Sequence, residues 1–387
     1  MPDVSLSADD LASFTVPHAL CLAGEWEYLL NGAMLVVATS ARLHASVAAD
    51  HGISISVGHG KDPDTEELAR RWAMALKSMA RQGHVELDGL AVHLGPAPPN
   101  AGQEACAALD RCWRHGAAHF LGSPAAAVAM ACAARVRPGN PCGLASEPLA
   151  ELAAAMLREV LGIPKRLGGC YYSECLACLE GGALHVAPAT ESLNVQLLLP
   201  PRALILALAL DASRPEVQHI TWEPRIKEAL DRIGWQGPGA PASLGSATQE
   251  LFELAAGRLD EREIGTLYGL LRVREMIEEH VERLGQQYLD HDLLAEICDE
   301  ESAIMENYFG FPGASYAPVR ETAVAAGALG GKLAYAFGDW PAMIILAPGR
   351  RDAVLQALER RFERFAFVPV DPAAGGPRST EADQEAQ

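Results

Sequence analysis

The chain is short of positive charge. Against 50 Asp and Glu stand only 31 Lys and Arg, a formal net charge of −19 with a pI near 5.0. That balance argues against nucleic acid or an anionic membrane as a partner and suits a protein of the cytosol. A secretory leader is missing from the first ten residues, MPDVSLSADD, which are acidic and have no basic n-region. Long apolar runs are missing too. The most apolar stretch, VQLLLPPRALILALAL, is broken by Pro200, Pro201 and Arg202, and each half is too short to span a bilayer. Nor do the cysteines suggest pairing. Nine is an odd number in a long chain, so buried thiols are expected rather than a disulfide framework.

What is present is ordinary globular material: 387 residues, 49% hydrophobic and 21% charged, enough for two domains or one large one. Residues 16–47 read as strand, turn, strand, with Asn31-Gly32 as a hairpin-type turn. Leu68, Trp72, Leu76 and Met79 share one face of a helix predicted over 64–81. DGLAVHLG then reads as a strand and PAPPNAG as a loop. Three Ala-rich helices follow, from about residue 103, at AAAVAMACAARV and at SEPLAELAAAMLREVLG, the last with Ser146 as its cap and Gly162 as its stop. After GGCYYSECLACLEGGALHV come strands to about residue 213 and helices from 242 to 299. APVRETAVAAG is a further helix, and AMIILAPGRRDAVLQALERRFERF is a strand, a turn and a helix. This mixture points to an α+β fold. The boundaries drawn are 1–205, 206–370 and a polar tail at 371–387 expected to be disordered.

Three pieces, in order, resemble the signature of the galactokinase–homoserine kinase–mevalonate kinase–phosphomevalonate kinase (GHMP) superfamily. The first is VPHALCLAGEWEYLLNGAML, similar to the family's N-terminal motif, with Pro17, Gly24, Glu25 and Gly32 in register. The last is AAGALGGKL, close to the C-terminal motif of heptose kinases and galactokinases, with Gly330, Gly331 and Lys332. Between them the phosphate loop is altered. PPNAGQEACAAL holds its place, keeping Gly102 but with Gln103, Glu104, Ala105 and Cys106 where the family has Leu and serines; RPGNPCGLASEPLAEL is a rival placement. The resemblance implies an S5-like N-terminal domain, a ferredoxin-like C-terminal domain and, in an active member, ATP and Mg²⁺.

On that alignment Ala19 stands at the place of the motif's cation, and Glu174 where a catalytic Asp is usual. Gly102, Gln103, Glu104, Cys106, Gly330, Gly331 and Lys332 are the nucleotide- or phosphate-binding candidates; Gly24, Glu25, Trp26 and Tyr28 are the substrate-binding ones. Phosphoryl transfer depends on positioned phosphates and neutralised charge, and Glu104 adds charge of the wrong sign. Tyr335, Phe337 and Trp340 after the glycine motif cannot offer the close backbone approach that glycine allows. Two readings follow: a weak or inactive relative that binds a metabolite, a nucleotide or a protein partner, or an active ATP-dependent kinase for a sugar or mevalonate-type hydroxyl.

Other features read more plainly. Cys170, Cys175 and Cys178 have a C-x₄-C-x₂-C spacing that a cluster or, with Cys142 or His185, a zinc ion could use, but buried thiols are the expectation and no metal site is assigned. Glu180 reads as a loop or surface carboxylate, Lys332 as solvated at a turn, and the Glu-rich stretch from Arg274 to Glu301 as a solvated helical face.

Overall fold

The computed structural model describes residues 10–24, 34–58, 62–81, 89–97, 104–135, 146–163, 171–186, 195–197, 202–210, 226, 228–234, 249, 252–284, 291–309, 311, 313–337, 340–373 and 375–379. The first sheet is mixed, with one parallel pair among antiparallel ones. It is built on two long strands, β1 (Asp10–Ala23) and β2 (Met34–Ala48). From Ser40 onward β2 alternates, with Ala41, Leu43, Ala45 and Val47 fully buried and the residues between them half-buried; this is the period-2 signature of a sheet with one packed face. The pair β3 (Ile53–Val57) and β4 (Leu90–Pro96) is parallel, as a crossover through α1 (Pro63–Arg81) requires. The face of α1 that carries Leu68, Trp72, Leu76 and Met79 is buried, as its spacing predicts.

Behind this sheet lie α2 (Glu104–Leu121), α3 (Pro124–Ala133), α4 (Ser146–Leu161) and α5 (Tyr172–Glu180). All ten residues of α3 are buried, which a helix apolar on every side demands; it starts cleanly because Ser123 Oγ accepts from the Ala126 N–H and Pro124 sits in the first turn. Helix α4 opens at Ser146, the residue at which its start was expected. Helix α5 fills a stretch to which the sequence analysis assigns no element. Its Tyr171 start is left-handed, φ 65°, and carries no side-chain cap, so the usual entry signal is absent. Strands β5 (Ala183–Val186) and β6 (Val195–Leu197) complete the sheet beside the N-terminal half of β2.

The second sheet is formed by β7 (Leu204–Ala209), β8 (Gly330–Ala336), β9 (Trp340–Leu346) and β10 (Phe365–Val370). They are antiparallel in the order β10-β7-β9-β8. Numbered within the sheet this is 4-1-3-2, the ferredoxin-like arrangement. Helices α6 (Glu261–Leu284), α7 (His291–Phe309) and α8 (Ala317–Ala325) lie between β7 and β8, and α9 (Arg351–Glu359) between β9 and β10. A boundary at 205/206 would cut β7, whose six residues pair as one strand; the chain changes sheets before Leu204.

The first part of the expected tail is ordered instead, at 371–373 and 375–379; residues 374 and 380–387 lie outside the described residues. Beyond β10 the chain crosses back to the first sheet, where β11 (Arg378–Ser379) pairs with Thr15 and Phe14 of β1. Small, polar composition suggested a tail with nothing to bury, but backbone pairing does not need apolar side chains. Among the described residues, no single helix is long and apolar enough to cross a membrane.

Candidate functional site

The glycine motif opens strand β8, and every one of its seven residues is buried. Gly330 and Gly331 serve packing here: a Cβ on Gly330 would come within 3.0 Å of the Asp299 carboxylate, and one on Gly331 within 3.1 Å of the Met343 sulfur. The next residue overturns the expectation of a solvated lysine. Lys332 is 0% exposed. Its Nζ donates to the Cys21 carbonyl of β1 at 3.0 Å and pairs with Glu301 Oε1 of α7 at 3.2 Å. Glu301 is itself 3% exposed in its side chain, and its Oε2 accepts from the Gly24 N–H at 3.3 Å. A buried charge persists only when paired and hydrogen-bonded, and both conditions are met.

Sequence reading missed Glu301 by treating the whole acidic stretch as solvated. The signal was there. Leu294, Ile297, Cys298, Ile304 and Met305 are buried at helical spacing, and position 301 falls on the same face. Ser302 beside it ties α7 to β8, donating to the Cys298 carbonyl at 2.7 Å and accepting from the Leu333 N–H at 2.9 Å. The end of β1 is thus held to the second sheet by one buried ion pair and its neighbours.

Beyond β8 the aromatic residues plug the space between the sheets. Phe337 occupies the turn with φ 51° and stacks on Phe120 of α2 at 4.6 Å between ring centroids, with its edge to His18 of β1 at 4.7 Å. Trp340 stacks on His119 at 4.7 Å and donates its indole N–H to the Ala209 carbonyl at 3.0 Å. Tyr335 is buried against Phe311. Burial pushes the His18 imidazole down to about 3, with Arg42 adding to the effect, so it is neutral at physiological pH.

No protein-family profile matches the sequence, and no curated protein does. Solved structures do match. A Lactococcus lactis galactokinase complexed with galactose superposes with a TM-score of 0.69 at 16% identity, covering 95% of this chain and 94% of that one. An L. major mevalonate kinase in complex with R-mevalonate gives 0.60 at 13% identity, with 95% and 98% covered. The Methanococcus jannaschii mevalonate kinase gives 0.56 at 10% identity, with 96% and 99% covered.

The fold is that of the GHMP kinases.

On this GHMP fold the sequence candidates divide into three groups. Gly24, Gly330, Gly331 and Lys332 converge on the junction just described. Glu174 is in the first turn of α5, half-buried, on a helix that packs against β1, β2, α3 and α4. Glu25, Trp26, Tyr28, Gly102 and Gln103 lie outside the described residues, as do the side chains of Glu104 and Cys106 in the first turn of α2. Ala19 is a buried β1 residue and carries no charge.

Cys175 and Cys178 are fully buried thiols on α5, and burial pushes both well up, which disfavours the thiolate a metal would need. Cys170 and Cys142 lie outside the described residues. Among the described residues, no three His, Cys, Asp or Glu side chains converge into a set that could hold a metal ion. Glu180 is exposed at the end of α5.

Proposed function

We propose that this chain is a GHMP-fold protein in which phosphoryl transfer is weak or lost and which acts by binding a small metabolite or a nucleotide. The observation that carries the reading is the enclosure of Lys332. A transferring phosphoryl group needs positive charge delivered to it. The one cation in the glycine motif is fully buried and committed to Glu301 and the Cys21 carbonyl, and the first-motif position that would carry another is Ala19. The aromatic plug behind the motif supports the same conclusion, because Phe337 and Trp340 fill with side chains the space beside β8.

A second reading, an active ATP- and Mg²⁺-dependent kinase for a sugar or mevalonate-type hydroxyl, is favoured by one observation. Glu174 keeps a half-buried carboxylate in the first turn of a helix packed on β1. Its side chain is one methylene longer than the aspartate that the resemblance leads one to expect, and near-attack geometry is sensitive to such a shift.

Thermal unfolding with and without millimolar Mg²⁺-ATP and Mg²⁺-ADP, followed by ADP release in the presence of galactose and mevalonate, tests both. The proposed reading expects a modest nucleotide shift or none, and no acceptor-dependent ADP release. Sustained turnover abolished by Glu174→Ala would overturn it in favour of the second.

A further inference from the structure

We propose that residues 371–373 and 375–379 form a clasp that crosses from the second sheet to the first and holds α5 and the middle of β2 in place as one cooperative unit with it. The clasp starts where β10 ends. Asp371 Oδ1 accepts from the Arg202 N–H at 2.5 Å, just before β7, and from Arg351 Nη1 of α9 at 2.6 Å. The same residue reaches the first sheet: its carbonyl accepts from the Ser40 N–H at 2.6 Å, and its N–H donates to Ser40 Oγ at 3.0 Å. One residue therefore holds both sheets, through its carboxylate on one side and its backbone on the other.

The next residues run along the bend of β2. Thr39 bridges Pro372, and the Ala373 N–H donates to the Ala38 carbonyl at 2.7 Å. The Ala373 carbonyl then accepts from the Gly182 N–H at 2.6 Å, directly after α5. Here the clasp is seated backbone against backbone. A Cβ on Gly376 would lie 1.8 Å from the Leu179 carbonyl oxygen, and one on Gly181 would lie 2.5 Å from the Gly375 Cα. No side chain fits between the clasp and the end of α5. Arg42 of β2 fastens the far side, donating from Nη2 to the Gly376 carbonyl at 2.5 Å and from Nε to Thr15 Oγ1 at 2.9 Å. Then Arg378 and Ser379 pair with β1.

The contacts that seat the clasp against the end of α5 are all between backbone atoms, so that α5 is unable to shift there without releasing the clasp. Helix α5 carries Glu174 at its other end. The clasp is therefore a conformational device: seated, it fixes the helix on which the candidate carboxylate sits, and unseated, it frees that helix and the β1 edge together.

Native-state hydrogen exchange on the full chain tests this without any substitution. The amides of Ser40, Gly182 and Ala373 are expected to exchange with one common protection factor, as a single opening event would give. Deletion of 371–387, and separately Gly376→Val, should each reduce protection in α5 and at Gly182 by tenfold or more while leaving β8 and β9 unchanged. Should a variant fail to fold, the wild-type result decides alone. Asp371 and Ala373 amides exchanging at unstructured-chain rates while Gly182 stays protected would overturn the proposal, as would a deletion that leaves α5 exchange unaltered.

Discussion

Two ion-pair sites on this chain have opposite appearances and opposite weights. On α1, Glu67 binds Arg70 at 2.7 Å and Arg71 at 2.8 Å, on side chains 40–59% exposed. At the sheet junction, Lys332 and Glu301 sit farther apart, at 3.2 Å, but are 0% and 3% exposed. Distance alone would rank the surface pairs first. Burial reverses that ranking, because water and salt already satisfy the exposed groups, whereas losing one partner of the enclosed pair leaves the other charge with no solvent to turn to. The same amino-acid types thus decorate a helix in one place and fix an architecture in the other.

The largest effect should come from breaking the enclosed pair. Glu301→Ala leaves a buried ammonium and is expected to cost about 3–5 kcal/mol in urea unfolding, while Glu301→Leu with Lys332→Met should return to within about 1 kcal/mol of the parent. Additive losses in the double variant would show that each charge has separate work.

Next is His18, in the aromatic plug. In the fold it titrates at about 3 and when unfolded at 6.5, so below pH 6.5 the unfolded chain takes up a proton that the folded chain refuses. Its contribution is fully present above 6.5 and is lost as the pH falls toward 3, at about 1.4 kcal/mol per pH unit. Between pH 7 and pH 5 the wild type should therefore lose roughly 2 kcal/mol more stability than His18→Leu. Equal losses in the two proteins would mean that the ring takes up a proton in the fold as readily as in the unfolded chain.

A smaller change is expected at the start of α3. Ser123→Ala removes the oxygen that receives the Ala126 N–H at 3.2 Å and should cost about 1 kcal/mol by denaturant titration. The smallest is Glu67→Gln on α1, which should leave the melting temperature unchanged within error at physiological salt. A clear drop there would undo the contrast between the two kinds of pair.

The sequence made the architecture readable and the junction much less so. Alternation along β2, the stripe on α1 and the all-apolar α3 announced themselves, since each follows from one period and one packed face. The end motifs pointed to the right fold. What could not be read was partnership across distance: Lys332 and Glu301 are far apart in the chain, and nothing local distinguishes a lysine after two glycines that is solvated from one that is entombed. Only the helical phase of 301 hinted at it. The clasp was hidden for a related reason, because small polar residues that bond through their backbone look the same as residues that bond to water. Helix α5 lacked the capping oxygen by which starts are recognised.

The central claim is that the charge in the glycine motif serves the junction of the two sheets and not a ligand. The most direct measurement is the melting temperature of the wild type and of the Lys332→Met/Glu301→Leu double variant, each with and without millimolar Mg²⁺-ATP. The account predicts similar melting temperatures without nucleotide and the same response to nucleotide in both proteins, whatever its size. A rise of several degrees in the wild type that disappears in an otherwise stable double variant would contradict it, and would return Lys332 to the phosphates.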